Sequence, residues 1–144
     1  MKIEKIVAPF YEGLANHKIL ARRCKECGAI EYPPRYACNT CGYHETEWVE
    51  LSGKGKLTTM ITPATLNSDP WNSKIGPYCY GIVELEEGVR TNATVFGVSK
   101  KAAKTLRNQL PIPVHAIFAE RDGFTTLFFE VDEGVVPEKA KAKK

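Results

Sequence analysis

The chain has no apolar stretch near the roughly 18 residues a membrane-spanning helix requires, and its opening Met1-Lys2-Ile3-Glu4-Lys5 leads into no signal-peptide core. A cytoplasmic location is therefore expected. It also lacks a Cys-His nucleophile arrangement, paired carboxylates in a motif and a glycine loop of the kind that cradles phosphate. A concentrated basic face is missing as well. The formal charge is +3, but Lys139, Lys141, Lys143 and Lys144 supply +4 at the extreme C-terminus, which leaves the body near −1 (3 − 4). Nucleic-acid binders carry their positive charge on the domain itself, so this distribution argues against that class. The segment Glu138 to Lys144 reads as a solvated, disordered end, with a tether to an acidic partner as the alternative.

Cysteine is sparse, five in 144 residues, but four of the five are placed as metal ligands. Cys24-Lys25-Glu26-Cys27-Gly28 and Cys38-Asn39-Thr40-Cys41-Gly42 are two CxxCG knuckles separated by ten residues. Each puts two thiolates on one tight turn, and the following glycine supplies a left-handed backbone that lets amides point at sulfur. Four thiolates leave no position for water, so the expected centre is structural zinc held by Cys24, Cys27, Cys38 and Cys41. Iron would fill the same ligands in a rubredoxin-like carrier, and a single CxxC would suit a redox pair. His44, three residues past Cys41, is expected at the surface. Reducing surroundings fit cysteines used for metal rather than for disulfides.

A ribbon of about 25 residues cannot bury enough apolar surface to fold by itself, so metal must supply the energy, on the order of 10–16 kcal/mol for small zinc modules. The hydrophobic core belongs to the rest of the chain. The expected division is an N-terminal helical segment at 1–21, a zinc ribbon at 22–47, a barrel at 48–134 and the lysine-rich tail at 135–144. Residues 8–16 read as a short helix with Pro9 in its first turn, Phe10 and Leu14 on one face, and Asn16 and His17 as stop residues. Ile19 to Arg22 runs extended into the first knuckle, and Ala29 to Tyr32 is a strand stub ended by Pro33-Pro34.

Beyond Trp48 the pattern becomes one of strands. Gly53-Lys54-Gly55 is a turn, and strands are expected at 56–62, 78–85, 90–96, 114–118 and 125–131. Glu86-Glu87-Gly88 and Asp122-Gly123 are hairpin turns, while Ser99 caps a helix running to about Gln109 with Ala102, Ala103, Leu106 and Leu110 on its apolar stripe. Five strands with one helix between the third and fourth is the order of an OB-fold barrel. The fold class is thus mainly β: a rubredoxin-like zinc ribbon with a short N-terminal helix, then a five-stranded OB-fold. His115 is expected to be a hydrogen-bonded structural residue, Cys79 a buried inert thiol, and the strand aromatics mostly core. The long connection from Pro63 to Pro77 carries Trp71 and Ile75 in a polar context; it either packs on its own barrel or grips a ligand.

These residues resemble an ordered set of motifs. Phe10-Tyr11-Glu12-Gly13, Arg23-Cys24-Lys25-Glu26-Cys27-Gly28, Tyr32-Pro33-Pro34-Arg35, Cys38-Asn39-Thr40-Cys41-Gly42, Trp48, Gly53-Lys54-Gly55, Pro77-Tyr78 and Val83-Glu84-Leu85-Glu86-Glu87-Gly88-Val89-Arg90 follow the order of the zinc-ribbon/OB-fold family long labelled domain of unknown function thirty-five. The resemblance covers residues 8 to about 131. It implies a noncatalytic subunit or fused domain working with thiolases and related acyl-CoA enzymes, in archaeal thiolase–synthase assemblies and in steroid side-chain or aromatic degradation. On that implication the catalytic cysteines belong to a larger thiolase-like partner in a hetero-oligomer. Phe10, Tyr11 and Leu14 are then candidates for docking it, and Arg35, Trp71, Lys74 and Tyr78 for touching coenzyme A or acyl-CoA. The competing readings are a nucleic-acid-binding ribbon plus OB-fold, and an iron electron carrier.

Overall fold

The computed structural model describes residues 3–136 apart from 65 and 67, so the lysine-rich segment 137–144 lies outside the described residues. The first element, α1 (Ala8–Ala15), has proline in its first turn and ends where His17 takes a positive φ of 58°. Its last carbonyls are closed by the amide of Lys18 onto Gly13 O at 2.8 Å and that of His17 onto Leu14 O at 2.9 Å, a Schellman ending with histidine in place of glycine. The His17 ring then stacks on Phe118, centroids 4.8 Å apart.

Two sheets follow. In the first, β1 (Ile19–Cys24) lies between the short β2 (Ile30–Glu31) and β3 (Thr46–Leu51), both antiparallel to it. The second is a closed barrel of β4 (Lys54–Ile61), β5 (Tyr78–Leu85), β6 (Arg90–Phe96), β7 (Ile112–Arg121) and β8 (Phe124–Val131), in the order β4-β5-β6-β8-β7. The helix α3 (Lys100–Leu106) sits between β6 and β7, as the OB-fold reading requires. Ser99 caps it by accepting from the Ala102 amide, and a 3-10 turn at Arg107–Gln109 extends it. The closing hairpin turns at Asp122 (φ 53°) and Gly123 (φ 84°), two successive positive φ values that match the right-handed twist of its strands.

Besides β3, where no strand was expected, the structure departs from the sequence expectation in three places. The strand expected at 56 begins at Lys54, so Gly53 alone makes the turn. Gly53 has φ 79°, and a Cβ there would sit 2.9 Å from the Cβ of Ala116. The strand expected at 114–118 runs from Ile112 to Arg121, taking in Pro113 near its start, where a missing N–H is tolerated. The connection 63–77 is also not irregular throughout, since α2 (Pro70–Ile75) forms within it, with Asp69 as its cap and proline in its first turn.

Ribbon and barrel share one core. Ile19, Ala21 and Leu51 from the first sheet pack in a single buried cluster with Leu57, Val83, Val95, Leu106, Val114 and Phe129, and Ile30 and Tyr32 pack against it. Burial pushes the Tyr32 hydroxyl up to about 12. His115 is held as expected, with Nδ1 2.8 Å from Asp132 and Nε2 3.4 Å from Glu130. Cys79 is fully buried on β5, and burial drives its thiol up to about 12. Native protein loaded with zinc is therefore expected to show no thiol reactive toward a disulfide reagent at pH 8. Chelation should expose four thiols, and Cys79 should follow only on global unfolding. A rapid Cys79 reaction before unfolding would contradict its place in the core.

Candidate metal centre

The two knuckles are built by the same backbone pattern. Gly28 N–H donates to Cys24 O (3.0 Å) and Gly42 N–H to Cys38 O (2.9 Å), while Cys24 N–H donates to Ala29 O (2.9 Å) and Cys38 N–H to Tyr43 O (3.0 Å). Both glycines sit at positive φ, 76° and 77°, with nothing near the missing Cβ. The left-handed turn is thus the reason for glycine at these positions. The second knuckle also aims an amide at sulfur, Thr40 N–H to Cys38 Sγ at 3.3 Å.

All four Sγ atoms lie within 4.8 Å of one another. The closest pairs are Cys24–Cys41 at 3.6 Å and Cys27–Cys38 at 3.5 Å. A disulfide needs about 2.0 Å, whereas a zinc tetrahedron with bonds of about 2.3 Å has edges of about 3.8 Å. The thiols therefore fit a tetrahedral ion. Zinc held here would fold the ribbon rather than act on a substrate, because the four sulfurs leave it no open position. The Cys41 amide, helped by that of Thr40, draws the Cys38 thiol down to about 6. At Cys41 the Tyr43 amide favours the thiolate, but burial and the other three thiols outweigh it and raise the group to about 12. Cys38 thus ionises ahead of Cys27 and Cys41, and metal entry must displace the protons those thiols keep. The His44 side chain is 80% exposed and faces Glu45 at 4.0 Å, which leaves it outside the cluster.

Sequence reasoning missed Arg22. It is 7% exposed, donates from Nε to Thr46 Oγ1 (2.9 Å) and from Nη2 to Thr46 O (2.6 Å), and lies between the rings of Tyr36 (4.5 Å) and Trp48 (4.6 Å). The guanidinium ties the loop between the knuckles to β3, and the two ring faces take the place of a carboxylate. Tyr36 also donates its hydroxyl to Ile6 O, which joins the same loop to the segment before α1.

The residues expected to dock a partner fall differently from one another. Leu14 is 6% exposed and belongs to this chain's own packing, so it offers nothing to a second protein. Phe10 is half-buried against Tyr11 and Tyr32, with centroids at 5.3 and 6.1 Å, while Tyr11 remains exposed beside Phe124. Among those expected to touch coenzyme A, Arg35 is exposed, 3.9 Å from Glu31, on the ribbon. The other three lie together on α2 and β5. Lys74 is exposed, but Tyr78 is 5% exposed and its hydroxyl accepts from the Asp69 amide at 2.6 Å, so its ring is an internal contact. Trp71 stacks on Phe128 at 5.5 Å with the Arg121 guanidinium 4.9 Å from its ring. The connection therefore packs on its own barrel.

Asp69 organises this packing. It accepts from the amides of Trp71 (2.8 Å) and Asn72 (3.3 Å), and its other oxygen faces Arg121 at 3.3 Å. Burial opposes the carboxylate, but those amides and the guanidinium overcome it and hold the group below the usual carboxylate range. A lowered folded-state value means stability that is present above the unfolded value and lost as pH falls through the folded one. Acidification below pH 4 is thus expected to loosen α2, read as a change in Trp71 fluorescence in a Trp48→Phe background. Asp69→Ala should bring that change to neutral pH, because it removes the cap of α2 and the partner of Arg121.

By its fold and its four-thiol site the chain is a zinc ribbon joined to an OB-fold barrel. Residues 12–47 match the ChsH2 rubredoxin-like zinc ribbon domain and residues 48–111 the ChsH2 C-terminal OB-fold domain. The chain belongs to that zinc-ribbon/OB-fold family, also called DUF35. It is 37% identical over 78 residues to a DUF35 domain-containing scaffold protein of Methanocaldococcus jannaschii, a match that spans 54% of this chain and 54% of that relative. It is 28% identical over 113 residues to the benzoylsuccinyl-CoA thiolase subunit BbsA of Thauera aromatica, covering 75% of this chain and 71% of that one. Its fold resembles the solved Ltp2-ChsH2(DUF35) aldolase, with a TM-score of 0.64 at 23% identity over 91% of this chain and 98% of that one.

Proposed function

We propose that this chain is a noncatalytic zinc-binding subunit of a thiolase-type acyl-CoA enzyme complex, supporting its assembly and the binding of acyl-CoA. The observation that carries the reading is the match to a thiolase subunit over 75% of the chain, across both ribbon and barrel. The chemistry of the site agrees with it: zinc enclosed by Cys24, Cys27, Cys38 and Cys41 serves folding, and the nucleophile of thiolysis would come from the larger subunit. The finer form of the proposal is thiolysis of benzoylsuccinyl-CoA in anaerobic toluene degradation. Exposed Arg35 and Lys74, with half-buried Trp71 on the same helix as Lys74, are the residues proposed to meet coenzyme A.

The test is purification of the tagged chain from its native cell, followed by identification of copurifying polypeptides and a thiolase assay with benzoylsuccinyl-CoA and coenzyme A. A thiolase-type large subunit is expected, active in the complex and without activity from this chain alone. Turnover by the isolated chain, or the absence of any such subunit, would overturn the proposal.

A further inference from the structure

The outer face of β4, β5 and β6 is without charge over two successive rows. Side chains two apart on a strand share a face, and the pairing places Ile61 beside Tyr80 and Tyr80 beside Thr94, then Thr59 beside Ile82 and Ile82 beside Asn92. These six residues, with Gly81 and Ala93 between them, line one shallow groove, and none is charged. The next row outward, Lys56, Glu84 and Arg90, ends the neutral strip, with Glu84 and Arg90 paired at 3.4 Å. Ile61 is 67% exposed and Tyr80 38%. A solvated strand face of an antiparallel sheet ordinarily carries polar and charged residues, and clustered exposed apolar side chains mark interaction sites.

We infer that this neutral groove, rather than the apolar side of α1, is where the larger acyl-CoA enzyme subunit docks, through an uncharged apolar segment of its own. The inference rests on the proposed function for the identity of the partner. Charge selects among the occupants. A nucleic acid needs a run of cations at the strand face where OB-folds bind it; neither row of the groove supplies one, and of the two in the row beyond, Lys56 and Arg90, the second is paired with Glu84. The lysine-rich segment of residues 137–144 is mismatched to an uncharged surface that cannot pair its ammonium groups. A protein segment with apolar side chains can bury Ile61, Tyr80 and Ile82, while Thr59, Asn92 and Thr94 supply hydrogen bonds at the edges. The α1 alternative is weakened by Leu14, which is already spent inside this chain.

The experiment measures binding of the large subunit, isolated from the native complex, to wild-type chain and to Tyr80→Glu, Ile61→Glu and Tyr11→Glu by biolayer interferometry. Zinc content and thermal melting of each variant verify that it is folded, and two separate groove variants guard against one that is not. Tyr80→Glu and Ile61→Glu are each expected to weaken binding about thirtyfold or more, the scale of a hot-spot loss, with Tyr11→Glu within threefold of wild type. Unchanged binding by folded groove variants, or a loss confined to Tyr11→Glu, would overturn the groove while leaving the proposed function intact. Sedimentation of the chain alone is expected to give a monomer. A dimer broken by Tyr80→Glu would assign the groove to a second copy, and single-stranded DNA binding lost in that variant would assign it to nucleic acid; either would overturn the inference. Failure of the wild-type chain to copurify with any thiolase-type subunit would overturn the proposed function and this inference together.

Discussion

Cys38→Ser is expected to abolish stoichiometric zinc binding and to unfold the ribbon between Cys24 and Thr46. Cys38 is buried, receives the Thr40 amide at 3.3 Å and lies 3.5 Å from Cys27, so no neighbouring group can take its place in the tetrahedron. His44, the nearest alternative donor in sequence, points to solvent. A serine oxygen is a poor ligand for an ion that prefers thiolate, and binding energy on the order of 10 kcal/mol is also the folding energy of a ribbon this size. Metal analysis should fall from about one zinc per chain to a trace. Amide exchange should rise across the knuckles. Melting of the barrel should drop as well, because Ile19, Ala21 and Leu51 stand in its core. A Cys38→Ser protein that kept one zinc and protected amides would show that three thiolates suffice.

Gly81→Ala is expected to destabilise the barrel by about 3 kcal/mol or more, among the larger effects of any single methyl group. The register of β4 against β5 shifts between Leu57 and Thr59, which presses the Thr59 backbone toward β5. A Cβ on Gly81 would stand 2.0 Å from the Thr59 carbonyl oxygen and 2.6 Å from a Leu57 methyl group. The leucine can turn aside, but the carbonyl is part of the strand. Relief therefore requires the two strands to separate at the register shift. Denaturant titration should show a lower midpoint, with zinc content unchanged if the damage stays in the barrel. A variant with a midpoint close to wild type would mean that β4 and β5 can spread apart at little expense.

Much of this architecture is written in local signals. Two CxxCG motifs specify the metal cluster because each is a self-contained turn, and Ser99, Asp122-Gly123 and Glu86-Glu87-Gly88 mark a cap and two hairpins within a few residues of themselves. The strands at 78–85 and 90–96 coincide with the expected ones, since apolar and β-branched runs bounded by turn residues have few other conformations. What escaped depends on distant partners. Arg22 reads as a surface arginine until Tyr36 and Trp48, fourteen and twenty-six positions on, close over it. Leu14 and Tyr78 read as available apolar groups because nothing in their own segments tells which side the barrel will occupy. At six residues, α2 is too short to show a helical period, and Asp69-Pro70 is its one local start signal.

The strand β3 crosses the point, between residues 47 and 48, where the two family domains meet. All six of its residues pair with β1, from Cys24 opposite Thr46 to Ile19 opposite Leu51. A gene rearrangement that joined a foreign barrel at this point would keep two of the strand's six residues and replace the four others that pair with β1. The ribbon and barrel are thus tied into one unit of inheritance by this strand as well as by their shared core, and a viable fusion must carry the stretch from α1 to β8 as one cassette.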